Sequence, residues 1–329
     1  MFLASPLNTE ELADFSSKKH RLLDRAFMFK KARDFFYSKK VLEVDCPILS
    51  SKASIDAHID LISAIYRNEE IYYLHSSPEF AMKRLLADGL GDIYQLSHVF
   101  RDGEFSEKHN PEFTMAEWYR LGFSLEEMIE ETCEFIQLFL GHLPCRIVNY
   151  REVFLQFTGI DYVHVSENEL FLFIKEKDIS YYPSVFEEGK DALLNLILGS
   201  YIEPFLGKNE LFVLAYYPAS QAALAKKRQH QDETVAERFE IYYQGIELAN
   251  GYHELTHGEE QRKRFEESNE MRRFLGKKSL PIDEHFLSAL QKGLPDCCGV
   301  AVGFDRLMML RQKQKEIQEV LPLGWNEVS

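Results

Sequence analysis

The sequence has few cysteines, no long apolar run and no excess of positive charge. It contains five cysteines, an odd number, and none of them forms a C-x-x-C pair. A disulfide framework and a cysteine-based zinc site are therefore not expected, and we expect reduced cysteines. No apolar run approaches the ~20 residues that a membrane span needs, and the N-terminus lacks the basic and apolar regions of a signal peptide. The sequence thus predicts a cytoplasmic protein that has no membrane partner.

Lys and Arg number 38 against 53 Asp and Glu, which gives a net charge of −15. A protein with this charge repels phosphate at long range, so the composition disfavours a general nucleic-acid binder and leaves room only for a local basic patch. Hydrophobic residues make up 45% of the chain and charged residues 28%. These fractions are typical of a folded globular protein and exclude a disordered or fibrous one.

Helical and strand patterns alternate along the chain without internal repeats. Residues 1–18 are polar and predict an irregular lead-in, whereas residues 19–329 carry the patterned elements. Ser124 and Glu127 form a capping box ahead of apolar residues at helical spacing, and Gly141 ends that run. Interspersed helices and hairpin strands predict one α+β domain over residues 19–329, built on a mainly antiparallel sheet that helices flank.

Two further stretches predict helices without predicting chemistry. In the first, four apolar residues are expected to share the buried face of one helix: Leu22, Ala26, Phe29 and Phe36. Residues 150–210 alternate short helical patterns with acidic loops, and they carry no catalytic or binding signature.

The strand predicted over residues 112–120 carries an unusual set of side chains. Alternation places one aromatic ring, one thioether, one carboxylate and one phenol on a single face: Phe113, Met115, Glu117 and Tyr119. The ring could stack on a base and the carboxylate could pair with an amine. Arg101 ends the preceding strand, where its guanidinium could hold a phosphate. The alternative is a half-buried hairpin whose glutamate is simply hydrogen-bonded.

A second hairpin carries two carboxylates. With a two-residue turn between its strands, Tyr242 pairs with Glu247 and Glu240 with Ala249. Glu240 and Glu247 then share one face, where they could hold Mg²⁺ against the phosphates of a nucleotide. A third carboxylate, Glu254, follows closely. The alternative is a solvated acidic face.

Small residues fill the strand predicted over residues 299–303, which reads Gly-Val-Ala-Val-Gly and leads into a helix near Arg306. Such residues let another group approach the backbone closely, and an arginine beside them could contact phosphate. The alternative is tight packing alone.

Three segments, taken in chain order, resemble the three signature motifs of the class II aminoacyl-tRNA synthetases. The helix and strand that end at Pro47 resemble motif 1, residues 100–115 resemble motif 2, and residues 299–306 resemble motif 3. The strings HNPEFTM and IELANGYHEL are similar to the lysyl-tRNA synthetase subgroup. The resemblance extends from about residue 20 to residue 310.

The position at which the pattern begins is similar to that of a narrower, stand-alone group within this class. The pattern begins near the N-terminus, so we expect no anticodon-binding domain, and the chain resembles the stand-alone elongation factor P–lysine ligase family. The strings SSPE, YYPASQ and LPDC are also similar to segments of that family. The resemblance implies a class II synthetase-like catalytic fold.

The same resemblance implies a reaction. ATP would activate (R)-β-lysine, or lysine, as an aminoacyl-adenylate, and the acyl group would pass to the ε-amine of a lysine on elongation factor P. It also implies Mg²⁺, a homodimer formed through motif 1, and no tRNA substrate. Two alternatives are a truncated synthetase that charges tRNA or another carrier, and a catalytically inactive regulatory paralogue that only binds a partner.

The resemblance assigns roles by position. ATP would contact Arg101, Asp102, Gly103, Asn110, Phe113, Glu247, Leu248, Gly303 and Arg306. Among these, Arg101 and Arg306 would be catalytic and Phe113 would stack on adenine. The amino acid would contact Ser77, Pro78, Glu79, Glu117, Tyr119, Glu254 and Ala301. Glu79 would take the α- or β-amine, and the ε-ammonium would lie among Glu117, Tyr119 and Glu254. Mg²⁺ would be held by Glu240 and Glu247.

Two positions have particular consequences. Ala301 replaces the middle glycine of motif 3, and its methyl group is expected to disfavour α-lysine and leave room for the β-isomer. Gly103 stands where motif 2 has a glutamate. We expect that Glu104 could substitute for it if the loop backbone shifts, which glycine permits.

Overall fold

The computed structural model describes residues 15–52, 54–67 and 69–328. Its helices are Lys18–Ser38 (α1), Glu79–Ala87 (α2), Leu125–Leu140 (α3), Tyr150–Thr158 (α4), Glu167–Glu176 (α5), Lys190–Ile197 (α6), Gly258–Phe274 (α7), Glu284–Gly293 (α8), Phe304–Arg311 (α9) and Trp325–Val328 (α10). Its strands are Leu42–Glu43 (β1), Leu49–Ser50 (β2), Ser63–Tyr66 (β3), Glu70–Leu74 (β4), Ile93–Phe100 (β5), Glu112–Leu121 (β6), Cys145–Asn149 (β7), Leu211–Pro218 (β8), Lys227–His230 (β9), Glu233–Tyr243 (β10), Ile246–His253 (β11) and Cys297–Gly303 (β12).

A nine-stranded sheet forms the centre of the structure. Its strand order is β1-β5-β6-β12-β11-β10-β8-β7, and β9 pairs with β10. The pairs β1–β5 and β7–β8 at the two ends are parallel, and the pairs between them are antiparallel. A separate three-stranded sheet has the order β2-β4-β3. The predicted α+β class on a mainly antiparallel sheet is therefore confirmed.

Helix α3 forms where its local signals predict it. The Ser124 hydroxyl accepts a hydrogen bond from the Glu127 amide, and the Glu127 carboxylate accepts one from the Ser124 amide. Such a box satisfies two amides that the helix itself leaves unpaired. Gly141 ends the helix with a φ of 79°, which glycine adopts without strain. The buried face of α3 packs into the core with the sheet.

Helix α1 buries a different face from the predicted one. Ala26 is exposed, and the buried stripe instead follows Met28, Ala32 and Phe36. Arg25 is also buried, and its guanidinium lies 2.6 Å from a carboxylate oxygen at the start of α9. The prediction was wrong for Ala26 because it counted only apolar residues as inward-facing.

Residues 150–210 are largely helical, as predicted. Helices α4, α5 and α6 contribute to a second hydrophobic core, which includes Tyr217 from β8 and Tyr242 from β10. This core supports the outer part of the sheet, while the first core lies under α1 and α3.

The predicted lead-in over residues 1–18 lies, for residues 1–14, outside the described residues. The Ser17 hydroxyl caps α1 by accepting a hydrogen bond from the His20 amide at 3.2 Å. Among the helices of the described ranges, none has the length and apolar character to cross a membrane.

Candidate active site

Glycine on β12 makes room for large side chains on its neighbours. Gly299 lies opposite Tyr119 of β6, and Ala301 lies opposite Glu117. A Cβ atom on Gly299 would lie 2.3 Å from a ring carbon of Tyr119 and 2.4 Å from a carboxylate oxygen of Glu254. The space above the strand forms a pocket of about 360 Å³, a size typical of ligand sites.

Four neighbouring strands supply the floor of this pocket. The predicted β6 face is confirmed, because all four of its members line the cavity: Phe113, Met115, Glu117 and Tyr119. From β11 and β10 the pocket receives Asn250, Tyr252, Arg238 and Glu240. The pairing places these side chains in two rows across the sheet, one through Ala301 and one through Gly299.

One end of the pocket gathers three carboxylates around a buried lysine. The Lys83 ammonium lies 2.5 Å from Glu79 and 2.5 Å from Glu254. The side chains of Lys83 and Glu254 are each 1% exposed, and that of Glu79 is 13% exposed. Glu117, the third carboxylate, is 2% exposed. This region, defined by Glu79, Lys83, Glu117, Tyr119 and Glu254, is called the amine end below.

Glu117 is held by hydroxyl groups. Ser77 and Tyr119 each donate a hydrogen bond of 2.7 Å to its carboxylate, one to each oxygen. The Ser77 hydroxyl also accepts a bond of 2.9 Å from the Glu79 amide, so the start of α2 is tied to β6. The local sequence Ser-Pro-Glu therefore positions both a helix terminus and a carboxylate.

Burial changes the acid–base behaviour of this end. Burial, and then the charge of Glu79, raise the pKa of Glu117 to about 7. Burial and the charge of Glu79 also raise the pKa of Glu254 to about 8, against the opposing charge of Lys83. Carboxyl groups in this state hold protons readily until a cation replaces them. The amine end is thus suited to bind ammonium groups.

The opposite end of the pocket carries Arg101 and Arg306 and is more open. The Arg101 guanidinium lies 5.2 Å from the centre of the Phe113 ring and 3.6 Å from a Glu104 carboxylate oxygen. Arg306 donates a hydrogen bond of 2.8 Å to the carbonyl oxygen of Glu247. Arginine, with its planar set of donors, is the side chain best suited to bind phosphate. This region is called the nucleotide end below.

A buried network positions Arg306. The neighbouring Asp305 carboxylate accepts hydrogen bonds of 2.6 Å from Arg25 and 2.7 Å from the Thr114 amide. Arg25 also donates to the Thr114 hydroxyl at 2.8 Å. Helices α1 and α9 are thereby fastened to β6, so the start of α9 has a fixed place beside the pocket.

His109 links Arg306 to the loop between β5 and β6. The two side chains are 2.7 Å apart, between Nη2 of Arg306 and Nε2 of His109. Burial, and then the Arg306 charge, lower the pKa of His109, which keeps its ring neutral and able to accept this bond. Asn110 is buried beside it and donates a bond of 2.7 Å to the Glu112 carbonyl oxygen.

The loop departs from motif 2 at Gly103. Gly103 has a φ of 76°, a left-handed conformation that glycine adopts at no steric cost. Asp102 and Gly103 are exposed and lie outside the pocket wall, whereas Glu104 lies in it. Glu104 therefore faces the pocket one residue later than the glutamate of motif 2, directly after the left-handed backbone of Gly103.

The hairpin of β10 and β11 has a different register from the predicted one. Tyr242 pairs with Glu247 as expected, but Glu240 pairs with Asn250 and not with Ala249. A β-bulge causes the shift. Leu248 of β11 is an extra, unpaired residue opposite the step from Ile241 to Tyr242 of β10. Glu240 and Glu247 nevertheless both line the pocket, as the shared-face prediction required.

The two carboxylates differ in their availability to a metal ion. Glu240 accepts hydrogen bonds from four groups: Tyr217 at 2.5 Å, Arg238 at 2.6 Å, Asn250 at 3.2 Å, and Tyr242. The Glu247 side chain is 38% exposed, and its nearest ionic partner is Arg306 at 3.5 Å. Partial burial, and then the charge of Glu240, raise the pKa of Glu247, so a cation is favoured there.

The described residues contain no group of three or more His, Cys, Asp or Glu side chains arranged to hold a metal ion. Magnesium sites of nucleotide enzymes take one or two carboxylates and complete their coordination with phosphate and water. Glu247, with Glu240 behind it, fits such a site. Glu254, the third carboxylate of the sequence prediction, lies instead at the amine end beside Lys83.

The structure brings most of the predicted site residues to one cavity. The pocket is lined by Ser77, Glu79, Arg101, Asn110, Phe113, Glu117, Tyr119, Glu240, Glu247, Leu248, Glu254, Ala301, Gly303 and Arg306. The remaining three lie outside its wall: Pro78, Asp102 and Gly103. Pro78 is the N-cap residue of α2 and so shapes the backbone beside Glu79.

Sequence reasoning missed three charged residues near the pocket: Lys83, Arg238 and Glu203. Arg238 lines it and holds Glu240. The Glu203 carboxylate accepts a bond of 3.1 Å from Tyr242, and burial and the charge of Glu240 raise its pKa to about 7. For Lys83 the sequence did carry a signal: it lies four residues after Glu79 at the start of a helix, a spacing at which opposite charges pair.

Comparison with known proteins identifies the family. The profile described as tRNA synthetases class II (D, K and N) matches residues 12–327. The chain is 40% identical over 314 residues to an elongation factor P–(R)-β-lysine ligase of Pasteurella multocida, an alignment that covers 94% of this chain and 96% of the relative. It is 42% identical to the protein of that name in Avibacterium paragallinarum, with 91% and 94% of the two chains covered. The corresponding protein of Pseudoalteromonas translucida is 41% identical over the same shares. The predicted family is thus confirmed: the chain belongs to the class II tRNA synthetases and, among them, to the group of elongation factor P–(R)-β-lysine ligases.

Proposed function

We propose that this protein activates (R)-β-lysine with ATP and transfers the β-lysyl group to a lysine ε-amine of elongation factor P. One observation carries the proposal: a single pocket joins an end with three carboxylates, two of them buried and the third 13% exposed, to an end with two arginines. The first end suits a diammonium amino acid and the second suits a triphosphate. The name of the relatives supports both the amino acid and the acceptor.

Activation requires positioning more than acid–base chemistry. The carboxylate of the amino acid attacks the α-phosphorus of ATP, an oxygen–phosphorus bond forms, and pyrophosphate leaves. Arg101 stabilises the charge on the α-phosphate, Arg306 binds the γ-phosphate, and Phe113 stacks on adenine. Preorganised cations of this kind lower the barrier because they need no rearrangement when charge develops.

The class II family implies ATP use, and Mg²⁺ is the metal ion that the nucleotide brings. Glu247 would hold it, with Glu240 as the second carboxylate. When bound, the ion neutralises phosphate charge. Glu104 and Asn110 complete the wall near the nucleotide.

Recognition of the amino acid takes place at the amine end. Glu79 binds the α- or β-ammonium, and the ε-ammonium lies among Glu117, Tyr119 and Glu254. A neutral side chain would leave buried carboxylates without partners, at a cost of ~1–3 kcal/mol for each. This cost makes the pocket selective for lysine-like substrates. Ala301, opposite Glu117, narrows the space beside the substrate backbone.

Transfer follows from the chemistry of the mixed anhydride. The neutral ε-amine of the acceptor lysine attacks the acyl carbon, an amide bond forms, AMP leaves and the amine loses one proton. Elongation factor P is a translation factor, so we place the reaction in the cytoplasm.

A homodimer is the proposed assembly. Several large apolar side chains of the motif 1 segment and the small sheet are exposed: Tyr37, Leu42, Leu49, Ile65 and Ile71. Ile65 and Ile71 are paired across β3 and β4, so they form a continuous apolar surface. A two-fold contact between equivalent surfaces would bury them. Sedimentation velocity should give the mass of two chains, and a monomer at micromolar concentration would oppose this assembly.

The decisive experiment measures the intact mass of elongation factor P from the same organism. The acceptor is incubated with enzyme, ATP, Mg²⁺ and either (R)-β-lysine or L-lysine, and parallel reactions replace it with tRNA. We expect a gain of one lysyl unit on the protein, faster with the β-isomer, and none on tRNA. Pyrophosphate exchange without acceptor modification would favour a synthetase-like carrier enzyme. The absence of exchange as well would favour the inactive paralogue.

A further inference from the structure

Lys83 is a buried cation behind the pocket wall, in contact with two lining carboxylates, and the proposed reaction has no use for it. It lies on α2, one turn after Glu79, and its side chain is 1% exposed. Burial alone would lower its pKa, but the charges of Glu254 and Glu79 raise the pKa of Lys83 above its usual value. The side chain is therefore a permanent cation inside the amine end.

The charged and titratable groups that face Lys83 belong to α2, β6, β12 and the residue that follows β11. Glu79 belongs to α2, Glu117 and Tyr119 to β6, and Glu254 follows β11. Cys297 starts β12 and is fully buried, and burial and the charge of Glu254 raise the pKa of its thiol. Tyr119 and Cys297 thus stay neutral. The charge of this end depends on three carboxylates and one ammonium.

The charges at the amine end do not cancel. Three ionised carboxylates and Lys83 give a net charge of minus two in a region that water hardly enters. A ligand with two ammonium groups compensates this charge, whereas a ligand with one leaves a buried negative charge. Since a buried unpaired charge is strongly unfavourable, the pocket must otherwise take up protons.

The contacts separate the carboxylates into two classes. Glu79 and Glu254 face Lys83 at 2.5 Å, while Glu117 has only the hydroxyl donors Ser77 and Tyr119. Lys83 therefore fixes the positions of two carboxylates and leaves the third for the ligand. A lysine that served only to anchor α2 would need one partner, whereas Lys83 contacts two carboxylates that both line the pocket.

We propose that Lys83 is a built-in counter-cation that sets the charge of the amine end, so that it accepts ligands with two ammonium groups and rejects ligands with one. Lys83 acts through Glu79 and Glu254 and is a positioning residue. The inference rests on the proposed function for the identity of its ligand. Its test does not depend on product formation.

The experiment is isothermal titration calorimetry of the full chain near neutral pH. The ligands are L-lysine, norleucine, which lacks the ε-ammonium, and 6-aminohexanoate, which lacks the α-ammonium. Each titration is run in two buffers with different ionisation enthalpies, which counts the protons released on binding. The proteins are the wild type, Lys83→Met and, as the charge-preserving control, Lys83→Arg.

In the wild type, lysine should bind at least about tenfold more tightly than either mono-ammonium ligand. Lys83→Met should bind lysine at least about tenfold more weakly and release as many protons as the wild type, because a proton replaces the missing cation both before and after binding. Its lysine complex should therefore keep one protonated carboxyl group that the wild-type complex lacks, and infrared difference spectroscopy detects the carboxyl band of that group. Lys83→Arg should lack this band, and a change in packing alone would not add it.

A lysine complex of a folded Lys83→Met protein with no protonated carboxyl group beyond those of the wild-type complex would overturn the proposal. If that variant does not fold, the wild type decides, because norleucine or 6-aminohexanoate binding as tightly as lysine would also overturn it. Selective binding of lysine with the expected proton counts, but no modification of elongation factor P, would refute the proposed function and leave this inference standing.

Discussion

The two ends of the pocket are built in opposite ways. At the amine end, Lys83 and Glu254 are each 1% exposed, and the Lys83 ammonium lies 2.5 Å from Glu79 and from Glu254. At the nucleotide end, Arg101 is 25% exposed and Glu247 38% exposed, and their ionic contacts are 3.5 Å or longer. One end is desolvated before any ligand arrives, and the other is still hydrated.

This difference indicates how the two substrates are selected. A desolvated, prearranged site discriminates through the cost of unpaired buried charge, so it suits the recognition of one particular amino acid. A more exposed site with two arginines suits a triphosphate that brings its own metal ion and charge.

The largest effect is expected at the nucleotide end. Arg101→Ala should lower the rate of ATP–pyrophosphate exchange by ~10²–10³-fold, because the charge that develops on the α-phosphate loses its stabilising cation. Calorimetric affinity for lysine should stay that of the wild type, since Arg101 does not contact the amine end. Arg101→Lys keeps the charge but not the planar donors, so its exchange rate should lie between those of the wild type and Arg101→Ala. A parallel loss of lysine affinity would break the contrast.

A pH effect on stability is expected at the amine end. Burial raises the pKa of Glu117 from 4.5 to about 7, so the folded chain binds more protons than the unfolded chain between these values. Stability should therefore fall as pH rises through this window, by ~3 kcal/mol for this residue. Urea unfolding at the two ends of the window measures it. Glu117→Gln should flatten the slope, and added lysine should reduce it. A slope that Glu117→Gln leaves unchanged would contradict the assignment.

A steric substitution should affect the amine end alone. Gly299→Ala places a methyl group against Tyr119 and Glu254, and such overpacking costs ~1–3 kcal/mol. Lysine affinity, measured by calorimetry, should fall by ~10–100-fold. Gly303→Ala is the matched control on the same strand, because its Cβ would meet only Arg306, at 3.5 Å. If both variants weaken lysine binding equally, the strand as a whole is responsible.

The smallest effect concerns isomer preference. Ala301→Gly removes a methyl group opposite Glu117 and should raise α-lysine activation relative to (R)-β-lysine by ~10-fold or less. Pyrophosphate exchange with the two isomers gives the ratio. Ala301→Ser, of nearly the same size, should keep the preference of the wild type. An unchanged ratio in Ala301→Gly would mean that another residue selects the isomer.

Local signals predicted much of this structure. The capping box at Ser124 and alternation along β6 depend on near neighbours in the sequence, and both are confirmed. The motifs also indicated the family, because they retain the charged and aromatic residues that the family uses to bind its substrates. The assignments of single residues to ATP and lysine remain predictions that the pocket geometry supports.

Tertiary contacts determined the remainder. The bulge opposite Ile241 has no local sequence signal, so the register of Glu240 could not be predicted. Arg25 and Lys83 look like surface residues in a helical pattern, yet distant carboxylates hold both of them inside the protein. Ala26 was placed on the predicted buried face of α1 but is exposed. Local spacing does not show which face of α1 turns inward, because Arg25 pairs with the distant Asp305 of α9.

The glycine at position 299 has a consequence for how new substrate preferences arise. Its hydrogen atom performs no chemistry, yet a single methyl group there collides with two residues of the amine end. Two positions along the same strand, Ala301 already carries a side chain and still lies in the pocket wall. Evolutionary drift and laboratory libraries alike should find altered amino-acid preference through residue 301, while residue 299 stays invariant among active variants.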